Sequence, residues 1–249
     1  MPFDASRAPR ALVSPHAVDD APRAAPPLRA AEEERLVYAL SIAAETWYAC
    51  PPGHLQRVSH LTVTLGEEFG FTGRDLTVLR HGALLHDLGK LGVSEAVLTK
   101  PAPLTPEELV EMRRHPEIGA HLLERLNLHP TIRTLVLQHH EWYDGRGYPK
   151  GLAGEEIAFG ARILAVADAY DALTSHRPYR KALPQEAALE ELQLRNGSQF
   201  DPLVVRALLE MAAELPLPIA DPERGEAEDP FPTARRSREG TDELPCGAN

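Results

Sequence analysis

The stretch Arg74-Asp75-Leu76-Thr77-Val78-Leu79-Arg80-His81-Gly82-Ala83-Leu84-Leu85-His86-Asp87-Leu88-Gly89-Lys90 decides how this chain is read. With about 3.6 residues per turn, Leu76, Leu79, Ala83, His86 and Asp87 share one stripe, which predicts a helix over about residues 74–87. The stripe that should enter the core therefore ends in an imidazole and a carboxylate. Burying either without a partner is costly. A bound metal ion resolves that cost, and so does an ordinary buried hydrogen-bonded pair.

The helical period continues on both sides. His54, Val58, Leu61 and Leu65 share a face of a helix expected over about residues 53–69, and another is expected over about residues 32–49. Cys50-Pro51-Pro52-Gly53 separates them, because proline lacks an amide donor and restricts its predecessor. After Leu88-Gly89-Lys90-Leu91-Gly92 an irregular segment is expected as far as Pro103. Thr105-Pro106-Glu107-Glu108 then combines an N-cap, a proline at the first helical position and a capping-box glutamate. His115-Pro116 opens a helix to about Leu126, and the next runs over about residues 130–140 with Ile132, Leu135, Val136 and His139 on one face. Further helices are expected over about residues 159–174, which carry Asp168, and about 184–195 and 202–214. Small Ala161, Ala165 and Ala172 flank the Asp168 side, and no pair of strands is convincing. The expectation is an all-α fold.

The segment over residues 130–140 runs out into His139-His140-Glu141-Trp142-Tyr143-Asp144-Gly145-Arg146-Gly147-Tyr148-Pro149. Paired imidazoles, which commonly bind zinc or iron, lead directly into a glycine-rich loop able to approach a ligand closely.

A chain of 249 residues with 43% hydrophobic content can bury one sizeable core, expected over residues 31–214. Residues 1–30, rich in Ala, Pro and Arg, read as a disordered or loosely attached leader, and residues 215–249 as a disordered, acidic, Pro-rich tail. The formal net charge of -11 argues against DNA or RNA binding through a broad basic surface. A small anionic substrate remains compatible, since bound cations reverse the local field. Cys50 and Cys246 make no disulfide framework, and there is neither a long apolar run nor a signal-type apolar core. The reading is a soluble, cytoplasmic protein without a membrane partner.

The residues suited to metal binding on core-facing or loop-edge positions are His54, His86, Asp87, His115, His139, His140 and Asp168. They exceed what one tetrahedral ion takes, which suggests two ions with a carboxylate able to bridge them. Paired ions about 3.5–4 Å apart clamp the oxygens of a phosphoryl displacement and acidify a water. His16, His60, His81, His121, His129 and His176 lack such a context and read as ordinary core or surface residues.

His86-Asp87 with Gly89-Lys90, Arg114-His115-Pro116-Glu117-Ile118-Gly119, His139-His140-Glu141, Asp144 to Pro149 and Arg177-Pro178-Tyr179-Arg180 together resemble an HD-GYP domain, over about residues 40–212. The resemblance implies a helical HD-domain bundle with an HD-GYP extension, a bi- or trinuclear centre, and hydrolysis of the bacterial second messenger cyclic di-GMP. Carried over by motif, the ligands are His54, His86, Asp87, His115, His139, His140 and Asp168. Asp87 and Lys90 are the catalytic pair, with Lys90 at the scissile phosphate. Tyr148 lines the pocket, and Arg177 and Arg180 hold phosphates or guanine.

Family members with three metals carry a Glu four residues before the histidine matching His54. Here Cys50 stands at that position, before Pro51 and Pro52. A thiolate is softer than a carboxylate and cannot chelate as one does. Two divalent ions, iron or manganese, and linear pGpG as product are therefore expected. The alternatives are a non-catalytic cyclic di-GMP sensor or adaptor, and an HD-type phosphohydrolase acting on another nucleotide. Retention of every candidate ligand disfavours the first, and the glycine loop with Arg177 and Arg180 disfavours the second. A signalling protein partner and a homodimer stay open.

Overall fold

A computed structural model describes Leu12 and residues 28–47, 52–176 and 181–214. The expected third-site position Cys50, the basic residues Arg177 and Arg180, and the tail from residue 215 lie outside the described residues. Among the described residues the fold is helical, in the order α1 (Ala30–Trp47), α2 (His54–Glu68), α3 (Arg74–Leu85), a 3-10 turn (Leu88–Gly92), α4 (Glu95–Leu98), α5 (Pro106–Met112), α6 (His115–Glu124), α7 (Pro130–Gln138), α8 (Phe159–Thr174), α9 (Gln185–Leu194) and α10 (Pro202–Glu214). Among the described residues extended pairing is confined to isolated bridges, Asp144 with Ala153 and Asn196 with Phe200. No described helix is long and apolar enough to cross a membrane.

The periodic stripes become the core. Val58, Leu61 and Leu65 of α2 meet Leu79, Ala83 and Leu85 of α3, Ile132, Leu135 and Val136 of α7, and Ile163, Val166 and Tyr170 of α8. Each fully buried aliphatic side chain contributes about 1.5–3 kcal/mol relative to exposure, which offsets the polar groups buried among them. The capping box forms as expected: the Thr105 hydroxyl accepts from the Glu108 amide at 3.3 Å, and the Glu108 carboxylate accepts from the Thr105 amide at 2.7 Å.

Charge holds the flanking elements. His81 is a buried core residue, Nε2 lying 2.9 Å from Glu34 Oε2 and Nδ1 3.3 Å from Glu33 Oε1, and the Arg80–Glu34 ion pair at 2.5 Å docks α1 on α3 together with Val37 and Ala44. A buried Arg162–Asp201 pair ties α8 to the start of α10. Of the expected loose leader, Leu12 is buried, and its carbonyl accepts from the Gly160 amide at 3.3 Å.

Two local features differ from the periodic reading. Helix α3 ends at Leu85 rather than residue 87, and α4 lies in the segment expected to be irregular up to Pro103. A single turn burying only Val97 and Leu98 is too short to show a period. The early end of α3 follows from Gly89. A Cβ built there would lie 1.8 Å from the His115 carbonyl oxygen and 2.5 Å from the Gly119 nitrogen. The chain after Asp87 must therefore press its bare backbone onto α6, and the tighter 3-10 turn makes that crossing. Gly89→Ala forces backbone apart at this crossing and is expected to cost at least about 1–3 kcal/mol of stability in urea unfolding. An unchanged midpoint would show that the crossing is looser than described.

Candidate metal centre

Helix ends aim the histidines. His86 caps α3, His115 opens α6 and His139 caps α7. Their Nδ1 atoms lie 2.7, 2.9 and 2.7 Å from the carbonyl oxygens of Ala83, Met112 and Val136, each three residues back. A carbonyl can only accept, so Nδ1 carries a proton, and whenever the ring is neutral Nε2 presents a lone pair. His54 is turned the same way by a carboxylate, with Nδ1 2.7 Å from Asp171 Oδ2.

The Nε2 atoms then converge. His115 Nε2 and His139 Nε2 stand 3.2 Å apart, and His86 Nε2 is buried without a hydrogen-bond partner. Facing lone pairs at that distance repel unless a cation or a proton lies between them. His115, His139 and His140 form one group that could hold a metal ion, and His54, His86 and Asp87 form another. Asp87 stands between the groups, Oδ1 3.4 Å from His115 Nε2 and Oδ2 3.4 Å from His86 Nε2. Asp168 closes the second group, with Oδ1 3.7 Å from His54 Nε2 and 3.8 Å from His86 Nε2. Lys90 donates to Asp87 Oδ2 at 2.7 Å. Every expected ligand is thus gathered at one centre, and its imidazole and carboxylate donors suit a divalent ion.

The electrostatics favour a cation there. Burial pushes His115 down to about 3, and burial followed by neighbouring imidazoles holds His139 and His140 well below the ordinary range. Asp87 is held well below its usual value because Lys90, His86 and His115 together outweigh burial. His86 moves the opposite way. Burial lowers it, but the charges of Asp87 and Asp168 and a backbone hydrogen bond carry it up to about 9. Without a metal, the proton thus sits on the ring between two carboxylates.

The glycine loop folds back onto this centre. Its Gly145 takes a left-handed φ of 83°. A Cβ at Gly147 would lie 2.1 Å from the Trp142 nitrogen, so only glycine permits the return. The Tyr148 amide donates to the His140 carbonyl at 3.1 Å, and the rings of the two residues lie 4.9 Å apart. Buried Glu141 anchors the far side, accepting from the Lys150 amide at 2.6 Å and the Leu152 amide at 3.0 Å.

Sequence reasoning missed Asp171, Arg57 and the anchoring role of Glu141. Asp171 accepts from Arg57 Nε at 2.5 Å, while Arg57 also donates to the Pro52 carbonyl at 2.8 Å and to Ser175 Oγ at 3.1 Å. The network joins the entry to α2 with the end of α8. Its one local signal was a second carboxylate, Asp171, one helical turn after Asp168.

A model of the HD domain family matches residues 41–204, a span that contains the whole centre. The chain belongs to the HD domain family. The loop through Tyr148 and Pro149 is a part of the chain on which the HD-GYP resemblance rests. This HD domain is 45% identical over 163 residues to the cyclic di-GMP phosphodiesterase response regulator RpfG of Xanthomonas campestris, covering 65% of this chain and 43% of the relative. It is 40% identical over 165 residues to a cyclic di-GMP phosphodiesterase of Thermotoga maritima, covering 65% and 45%. A 3'3'-cGAMP-specific phosphodiesterase of Vibrio cholerae is 38% identical over 164 residues, covering 66% and 36%. The chain spans less than half the length of these relatives. Among solved structures, a cyclic GMP-AMP specific phosphodiesterase of Vibrio cholerae shares the fold with TM-score 0.57 at 22% identity, over 73% of this chain and 48% of that one. An HDG"Y"P protein of Bdellovibrio bacteriovorus does so with TM-score 0.57 at 21% identity, over 74% and 65%.

Asp171→Ala leaves His54 without its orienting acceptor and is expected to weaken metal affinity about 10–100-fold, with partial recovery in Asp171→Asn. Competition against a chelator measures this, and unchanged affinity would remove Asp171 from the centre. The pH dependence follows from His86. Its folded value of about 9 lies above the ordinary 6.5, so its proton stabilises the metal-free fold fully below pH 6.5, a contribution lost as pH rises through 9. A metal must displace that proton. Affinity is expected to rise about tenfold per pH unit from neutrality and level off near pH 9, as read by metal titration at several pH values.

Proposed function

We propose that this HD domain hydrolyses one phosphodiester bond of cyclic di-GMP and releases linear pGpG. The observation that carries the reading is Asp87, whose two oxygens face two separate ligand groups. That arrangement suits a pair of ions sharing one carboxylate. Relatives at 45% and 40% identity named as cyclic di-GMP phosphodiesterases support the choice of substrate.

His54, His86 and Asp168 would hold one ion, His115, His139 and His140 the other, and Asp87 both. Two such ions, iron or manganese on this donor set, would supply Lewis-acid polarisation of the phosphate and acidify the attacking water. The protein's own groups do the rest. Nδ1 bonds to fixed carbonyls and to Asp171 hold the imidazoles in one tautomer, so no ligand must reorient during turnover. Lys90, beside Asp87 and partly exposed, presents an ammonium where charge grows on the phosphate oxygens. Tyr148 walls the pocket beside His140, and Arg177 and Arg180 are proposed to hold phosphates or guanine. Residues 31–214 are taken as the unit carrying the activity, in the cytoplasm where this messenger acts. Cys50 in place of a chelating glutamate supports two ions rather than three, and hence pGpG rather than GMP as the end point.

The test is a product time course on the full chain loaded with manganese or iron, using cyclic di-GMP and 3'3'-cGAMP in parallel, beside metal counting. Two ions per chain and accumulation of pGpG are expected. Asp87→Ala is expected to lose metal and at least about a hundredfold in turnover while keeping its helical content. Binding without turnover in the metal-loaded protein would make it a sensor, and preferred cleavage of the mixed nucleotide would reassign the substrate. Three tight ions with rapid GMP formation would overturn the product assignment.

A further inference from the structure

We infer that Arg113 holds a phosphate group of the substrate at the mouth of the metal centre, an assignment that rests on the cyclic dinucleotide reading above. Arg113 is the C-cap residue of α5, two positions before His115, and its side chain is exposed. Its guanidinium carbon lies over the Tyr148 ring, 5.3 Å from the centroid. The Tyr148 ring lies in turn 4.9 Å from that of His140, a member of one ligand group. Arg113, Tyr148 and His140 therefore form a continuous wall from solvent to the centre.

The cation is held by an aromatic face rather than by a carboxylate. Arg80, Arg133 and Arg146 each pair with a carboxylate, and Lys90 is held by Asp87. No ion pair joins Arg113 to a described carboxylate, although the chain as a whole carries a formal charge of -11. Resting on an aromatic face holds a guanidinium in place while sparing its N–H donors. Those donors form a planar fork that matches two oxygens of a phosphate. A cyclic dinucleotide carries two phosphates, and one held by the ion pair leaves the other to be met outside the ligand shell, where a fixed guanidinium suits it. Arg113 follows directly on α5 and is far along the sequence from Arg177 and Arg180.

The experiment uses the full chain loaded with manganese and compares wild type with Arg113→Ala, Arg113→Lys and Arg113→Glu. Steady-state hydrolysis of cyclic di-GMP and calorimetric binding of pGpG are measured beside metal content. In Arg113→Ala, KM and the pGpG dissociation constant are expected to rise at least about tenfold with kcat and metal content little changed. Arg113→Lys should recover part of the loss, Arg113→Glu should exceed it, and added salt should weaken the wild type more than Arg113→Ala. Constants within about twofold of wild type in both Arg113→Ala and Arg113→Glu would overturn the assignment and leave the functional reading intact. A fall in kcat together with metal loss would also overturn it, because Arg113 would then act by propping Tyr148. A wild type that binds no cyclic dinucleotide would remove the functional reading and this inference with it.

Discussion

His115 Nε2 and His139 Nε2 face each other at 3.2 Å while their Nδ1 atoms are already committed to backbone carbonyls. Neither ring can relieve the contact by changing tautomer without abandoning a buried hydrogen bond. The contact calls for positive charge between the rings, and the structure is arranged around that requirement. Asp87 brings its two oxygens to the edge of the same space, and His86 stands opposite with its Nε2 unbonded.

The arrangement uses helix termini as its pointing device. A residue just beyond a helix can bond its imidazole to a carbonyl one turn back, which satisfies an acceptor the helix leaves open and fixes the ring direction. His86 and His139 follow this rule at the ends of α3 and α7, and His115 does so across the junction of α5 and α6. Helix ends can meet only if backbones approach closely, which is where Gly89 against α6 matters. The apolar stripes of α2, α3, α7 and α8 supply the free energy that holds these polar ends together.

Around the centre, positioning falls to residues that need not touch a ligand. Asp171 and Arg57 lock His54 while tying the start of α2 to the end of α8. Glu141 pins the glycine loop so that Tyr148 stays beside His140. The proposed hydrolysis thus depends on a rigid ligand set with a wall of partly exposed groups, Lys90, Tyr148 and Arg113, around its entrance.

Much of this was legible in the residues alone. A stripe such as Leu79, Ala83 and His86 repeats within one helix, so its period announces both the helix and the buried face. The match of ordered motifs then named His54, His86, Asp87, His115, His139, His140 and Asp168 as belonging together, and the fold does gather them. The sequence did not disclose the short helix α4, whose single turn carries no period, or the hydrogen-bond partners of the candidate ligands. His54 and Asp171 are 117 residues apart, and Arg57 and Asp171 are 114 apart. A hydrogen bond over such a separation depends on how α2 lies against α8, and no local pattern encodes that crossing. The same holds for Arg113 over Tyr148, where a cation unremarkable in its own segment becomes the neighbour of that ring only once the end of α5 and the glycine loop come together. Local periodicity therefore determined the helices and their buried faces, while tertiary packing alone decided which side chains meet, because hydrogen bonds and cation–π contacts act over a few ångströms in space whatever the distance along the chain.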